Sequence, residues 1–369
     1  MMKRFLSVLA GLLCFTAVAG DKNVAQVEYR VLPPDFEKLP VEETEKWHFG
    51  FRPYSAESAS FLWSDPNVIR DVTSGADTSD KHLATGLYVV CNEEEFSFLV
   101  YGALRDNAAK LEKGQNAEEL LLECFFLPGD ADDPAIENYQ HFGVTSQTPH
   151  LRWKLSWMKE DRNVRWMFDA MKVEPRYTSN GVVLRFSVPW EVLWDKLPVF
   201  SKKKDNHWRL SVIRWGGSQG GETWGGVVHA QSRCGYLRMP DFTEEQQTAI
   251  MKTTLLKLWR QYQLCKNHTR NNPNLVPESV KTNRYRQSLA HFAHTWANVN
   301  EDRAFVDQWL KPAIAERDAI GKGLATFEKM SLEEQKAFYL KNAPLLANFQ
   351  YDIDDAYAAF CKAKLMGAE

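Results

Sequence analysis

Leu87-Tyr-Val-Val-Cys91, Asn92-Glu-Glu-Glu95 and Phe96-Ser-Phe-Leu-Val-Tyr101 follow one another in the chain. Two short runs rich in aromatic and β-branched residues flank a polar tetrapeptide, which is the pattern of a β-hairpin. The texture continues outward from there. Leu120-Leu-Leu-Glu-Cys-Phe-Phe-Leu127 is a further apolar run, stopped by Pro128-Gly129. Trp153 to Trp157 alternates so that both indoles share one strand face, which reads as a core face, and Trp166 to Met171 continues the pattern. Val182 to Val188 ends at Pro189, and Trp208 to Trp215 is the last long strand. Short strands separated by turn signals predict an antiparallel β-sandwich over residues 45–239, not alternating β/α units.

The texture changes at Pro240-Asp241. Thr243-Glu-Glu-Gln246 has capping-box spacing and opens a helical pattern to about Lys266. Residues 283–299 carry Leu289, Phe292, Ala293 and Trp296 at helical spacing. Asn300 is the expected cap of the next helix, Ser331-Leu-Glu-Glu334 is a second capping box, and a last helix covers 349–365. The whole chain therefore reads as a sandwich followed by an all-α region over 240–369.

Ahead of the sandwich, Lys3 and Arg4 precede an apolar stretch from Phe5 to Val18, and Ala17 and Ala19 form an A-x-A cleavage pattern before Gly20. That order predicts a signal peptide over 1–19 and export to the periplasm, the cell surface or the medium. Leu13 stands where lipoprotein signals carry a small residue, which argues against lipidation of Cys14. No later stretch is long and apolar enough for a membrane span. Residues 20–44, with Pro33, Pro34 and Pro40, read as an extended lead-in. The chain has 369 residues and a formal net charge of −3, without the basic excess of a nucleic-acid binder. After signal removal the cysteines are Cys91, Cys124, Cys234, Cys265 and Cys361, an odd set without metal-type spacing that reads mainly as small buried hydrophobes.

Several segments occur in an order that resembles the family 9 carbohydrate-binding modules. They are Asp77-Thr-Ser-Asp80, Leu122-Glu-Cys-Phe-Phe-Leu-Pro128, Arg185-Phe-Ser-Val-Pro-Trp190, Trp208-Arg-Leu-Ser-Val-Ile-Arg214, Glu222-Thr-Trp224, and His229 through Cys234-Gly-Tyr-Leu-Arg-Met239. The resemblance covers about residues 45–239 and leaves the helical region out. It implies non-catalytic recognition of a glycan, with indoles stacking on sugar C–H faces and polar groups bonding the hydroxyl rim. Trp224, in the Gly216–Gly226 loop, matches the family's stacking Trp; a loop-anchoring core Trp is the other reading. The family's Asn shortly before that Trp is replaced by Gly221-Glu222-Thr223, so Glu222 is the candidate hydroxyl partner. Trp63 and Trp215 are candidate further platforms, and Arg105 is a candidate rim contact.

Asp77 and Asp80 are candidate oxygen ligands for Ca²⁺, with solvated loop acids as the default. A glycoside-active enzyme needs only two carboxylates, and a haem-binding sandwich could draw on His82, His141, His150, His229 or Met239. No G-x-S-x-G, H-E-x-x-H or phosphate loop is present. A sandwich that has lost sugar binding and serves as an interaction protein is the remaining alternative. The helical region is expected to dock a partner or mediate oligomerisation, with simple buttressing of the sandwich as the other reading.

Overall fold

A computed structural model describes residues 23–49, 51–53, 85–103, 121–129, 140–145, 151–156, 170–178, 181–202, 207–215, 222–225, 234–267 and 299–367. The strands in chain order are β1 (Val24–Tyr29), β2 (Arg52–Pro53), β3 (Thr85–Cys91), β4 (Glu95–Ala103), β5 (Leu121–Leu127), β6 (Gln140–Thr145), β7 (Leu151–Ser156), β8 (Lys172–Thr178), β9 (Gly181–Pro189), β10 (His207–Trp215), β11 (Glu222–Trp224) and β12 (Gly235–Arg238). The expected hairpin is β3–β4, closed by the Cys91–Phe96 pair. The Asn92 side chain holds its turn by accepting from the Glu94 and Glu95 N–H groups, which is the local bonding that suits Asn to turns.

One layer runs β7-β6-β5-β10-β12-β1 and the other β1-β3-β4-β9-β8. β1 belongs to both. Its first half, Val24–Gln26, pairs in parallel with Tyr236–Arg238, and its second half, Val27–Tyr29, pairs in parallel with Val89–Cys91. The remaining pairings are antiparallel. The layers meet face to face. Phe96 and Phe98 on β4 pack on Phe126 of β5 at 5.4 and 6.3 Å between ring centroids, and Phe142 of β6 meets Phe186 of β9 at 5.8 Å. Such interdigitation of inward faces defines a sandwich core. The antiparallel sandwich is thus present, with the parallel contacts of β1 as the addition.

The lead-in does more than connect. Beyond β1 the chain passes through short helical segments over residues 36–46 and folds back over the outer face of the second layer, where Phe36, Leu39 and Trp47 bury Tyr88, Val90, Leu99 and Val183. His48 exchanges backbone hydrogen bonds with Leu87 at 2.8 and 3.1 Å. Gly86 leaves room for this: a Cβ there would come within 2.8 Å of the Phe49 ring and 3.0 Å of Trp47. β8 (Lys172-Val-Glu-Pro-Arg-Tyr-Thr178) alternates Val173, Pro175 and Tyr177 with charged residues, but the internal Pro175 disguises it as a turn segment. It is an edge strand, where proline and charge are tolerated and discourage further pairing.

The helical region contains α1 (Glu244–Asn267), α2 (Lys311–Leu324), α3 (Leu332–Ala347) and α4 (Phe349–Leu365). Both expected capping boxes are formed, with Gln246 N–H donating to Thr243 Oγ1 and Glu334 N–H to Ser331 Oγ. Ahead of α2 the cap is Asp302, whose carboxylate accepts from Phe305 N–H, and not the expected Asn300. The expected helical pattern over 283–298 lies outside the described residues. The helices dock on the sandwich along Trp190–Phe200. Tyr339 of α3 donates to Trp194 O at 2.9 Å and its ring packs on Phe200 at 5.0 Å. Lys257 of α1 donates to Glu94 O at 3.4 Å. Sandwich and helices consequently share one apolar core that runs from Phe96 and Trp190 to Leu258 and Ile353.

Candidate functional site

Strand periodicity decides where the polar side chains of β10 go. Trp208, Leu210 and Val212 point into the core, so Arg214, two residues on, enters the same inter-sheet space at its rim. A guanidinium there needs partners, because burying a charge without them is costly. Arg214 is buried and reaches across to the other layer, donating to Thr85 Oγ1 at 2.8 Å and to Ala103 O at 2.7 Å. Thr85 in turn donates to Glu222 Oε2 at 2.8 Å. The direction of this relay is set by the donors. Arg214 can only donate, so the single Thr85 proton is available for Glu222.

β11 aligns the acid with the relay. It pairs with β10 so that Glu222 lies opposite Arg214 and Trp224 opposite Val212. Residues opposite each other in an antiparallel pair face the same side. Glu222 is half-buried at the rim. Its Oε1 accepts no hydrogen bond from a described residue. Tyr101, on the neighbouring end of β4, has its hydroxyl pushed above the ordinary tyrosine value by burial, with the Arg214 charge opposing. The arrangement can offer a fixed, partly exposed carboxylate to a ligand's hydroxyl groups.

The same register carries Trp224 inward. Its indole is 2% exposed and lies against the Gly235 backbone, in the core and not on a solvent-facing loop. The physical reason is its pairing with inward-facing Val212, which the Gly-rich surroundings obscured in the sequence. Trp215 ends β10 opposite Leu121. Trp63, Arg105, Asp77 and Asp80 lie outside the described residues, as do His82, His150 and His229. His141 is on β6, and Met239 is buried beyond β12. Among the described residues no three His, Cys, Asp or Glu side chains assemble as a metal site. None of the described helices is long and apolar enough to cross a membrane.

No disulfide joins the five described cysteines, of which Cys91, Cys124 and Cys234 are buried. Burial pushes the Cys91 and Cys124 thiols well above their ordinary value, which makes them inert packing groups. Sequence reasoning missed Thr85 and did not single out Arg214. The available signal was phase: a charged residue on the inward repeat of an otherwise apolar strand.

No family model matches the chain, and no curated protein does. Among solved structures, a family 9 carbohydrate-binding module from Caldicellulosiruptor kristjanssonii in complex with glucose is 8% identical, with 60% of this chain and 97% of that chain covered at a TM-score of 0.30. The same organism's module in complex with cellotriose is 7% identical, covering 60% and 95% at 0.30. A proposed carbohydrate-binding protein from Bacteroides uniformis is 11% identical, covering 60% and 100% at 0.34. Likeness at these TM-scores carries no argument about this chain, whose sandwich rests on its own strand pairings and inter-sheet packing.

Proposed function

We propose that this chain is an exported, non-catalytic carbohydrate-binding protein. The observation that carries the reading is Glu222, half-buried at the sandwich rim with one oxygen anchored through Thr85 to Arg214. Sugar recognition needs polar groups held in place before the ligand arrives, because ordering a loose side chain subtracts from affinity. Here the ordering is done by the fold. The sequence adds support, since two of the segments resembling family 9 modules, Trp208–Arg214 and Glu222–Trp224, lie on the strands that carry Arg214 and Glu222.

Trp63 and Trp215 are the proposed stacking surfaces and Arg105 a proposed rim contact, since Trp224 is interior. Export is proposed from the basic, apolar and small-residue order of residues 1–19. A glycan array on the purified protein tests the function. Retention of a glycan without release of reducing ends supports a binder. Release of reducing ends would instead make it a glycosidase, and a strong Soret band would make it a haem protein. A blank array with intact folding would end the carbohydrate reading.

A further inference from the structure

A second surface, on the outer face of the first layer, gathers positive charge. Trp208 and Leu237 face the core, so His207 and Arg209 on β10 and Tyr236 and Arg238 on β12 face outward. The register sets His207 opposite Arg238 and Arg209 opposite Tyr236, which makes a block two residues wide on each strand. The Arg209 guanidinium lies over the Tyr236 ring, 5.7 Å from its centroid, and the His207 ring meets the same ring edge-on at 5.5 Å. Arg238 is exposed.

This block departs from ordinary sheet surfaces in its charge pairing. Cross-strand neighbours usually pair opposite charges, and like charges side by side are destabilising. Here neither arginine has a carboxylate opposite it on a paired strand: Arg209 lies opposite Tyr236 and Leu127, and Arg238 opposite His207 and Gln26. Arg209 is half-buried and Arg238 exposed, so both side chains are partly open to solvent. The chain as a whole is net negative, at −3, so the block does not follow from overall charge.

We propose that His207, Arg209, Tyr236 and Arg238 form a second binding site for an oxyanion, the sulfate ester or uronate carboxylate of a charged polysaccharide. That a polysaccharide carries the anion rests on the glycan reading above; the preference for an oxyanion rests on the charge block alone. Sulfate and carboxylate both offer the paired oxygens that a guanidinium fork engages. The Tyr236 face holds Arg209 in position, leaving its charge for the ligand.

Titration calorimetry with dextran sulfate, oligogalacturonate and uncharged dextran tests the site. Binding of dextran sulfate, oligogalacturonate or both, and not of dextran, is expected; the polymer that binds identifies the anion. Arg238→Gln and Arg209→Gln should each weaken that binding roughly tenfold, the usual order for a charged hydrogen bond. Because Arg238 is exposed, its variant keeps the test valid if Arg209→Gln disturbs packing. Lys311→Gln, which removes an exposed cation from the helical region, should leave anion binding unchanged. The proposal is overturned if neither anionic polymer binds better than dextran, if both arginine variants bind as tightly as wild type, or if Lys311→Gln weakens binding as much as the arginine variants do. A blank glycan array alongside intact anion binding would sink the proposed rim site and leave this one standing.

Discussion

The Trp224 indole rests directly on the Gly235 backbone: a Cβ at position 235 would sit 2.5 Å from Trp224 Cζ3. Gly225, next to Trp224, adopts φ +92°, a backbone conformation that L side chains rarely take. The Gly-rich composition here serves close packing around a buried ring. Trp224→Ala should therefore cost about 3–5 kcal/mol of stability, the usual range for emptying a core Trp site. Gly235→Ala should also destabilise, because neither the indole nor the adjacent backbone yields easily. Thermal melts of both variants check this. A Trp224→Ala protein that melts like wild type while losing glycan affinity would return Trp224 to the ligand site.

At the rim, Thr85→Val keeps the shape of residue 85 and removes the hydroxyl that joins Arg214 to Glu222. Arg214 would lose one of its cross-sheet acceptors, so a stability loss of about 1–3 kcal/mol is expected. Glycan affinity should fall as well, since Glu222 is no longer held. Glu222→Gln should lower affinity with little change in melting temperature, because the residue is half-exposed. Measuring affinity and melting on both variants separates orientation of the acid from its charge. Equal affinity in wild type and both variants would remove the rim from the site.

The hairpin and the helix starts were legible in the sequence because their causes are local. Asn92 bonds its own turn, and Thr243 and Ser331 cap helices that begin one residue later. β1 carried an alternating pattern, with Ala25 and Val27 inward. Its bridging role was hidden because its partners are β3 and β12, the latter more than 200 residues away by the Gln26–Arg238 separation of 212. The Arg214–Thr85 contact spans 129 residues and joins different layers, so no window of sequence contains it. Glu222 was found through a family resemblance, and the residues that hold it became visible only with the register of β10 and β11.

The helical region should not separate cleanly from the sandwich. Tyr339 is almost fully buried, bonds Trp194 O and packs on Phe200, and α1 buries Ile250, Met251, Leu255 and Leu258 in the shared core. Truncation after Met239 would expose the Trp190–Phe200 segment that these side chains cover. The expected outcome is a poorly soluble sandwich with a lowered melting temperature. Tyr339→Phe, which removes only the hydroxyl, should cost about 0.5–1.5 kcal/mol. A single cooperative transition in the full chain, monitored by both near-ultraviolet and far-ultraviolet dichroism, is the matching test. Two well-separated transitions would show that the two parts fold independently.

That junction also holds a carboxylate whose burial outweighs its partner. Glu191 Oε2 is shielded, makes no hydrogen bond, and stands 3.6 Å from Lys257 Nζ, which donates instead to Glu94 O. Desolvation raises the Glu191 carboxyl above its ordinary value of 4.5, and the Lys257 charge opposes this without overcoming it. Glu94 adds a nearby negative charge in the raising direction. A group whose folded value is raised contributes its stability fully below the ordinary value and loses it as pH rises through the folded value. The ionised Glu191 of neutral solution is thus a cost to docking. Glu191→Gln, which keeps the shape and stays uncharged, should melt higher than wild type at pH 7–8, and the difference should shrink as pH falls toward about 4.5. Comparing the two proteins at each pH cancels the other carboxylates, several of which shift the opposite way, as Glu43 does beside Arg30. If wild type and Glu191→Gln keep a constant difference across that range, Glu191 does not titrate there. If the variant is instead less stable at neutral pH, the Lys257 attraction is the larger effect and the ion pair holds the junction together.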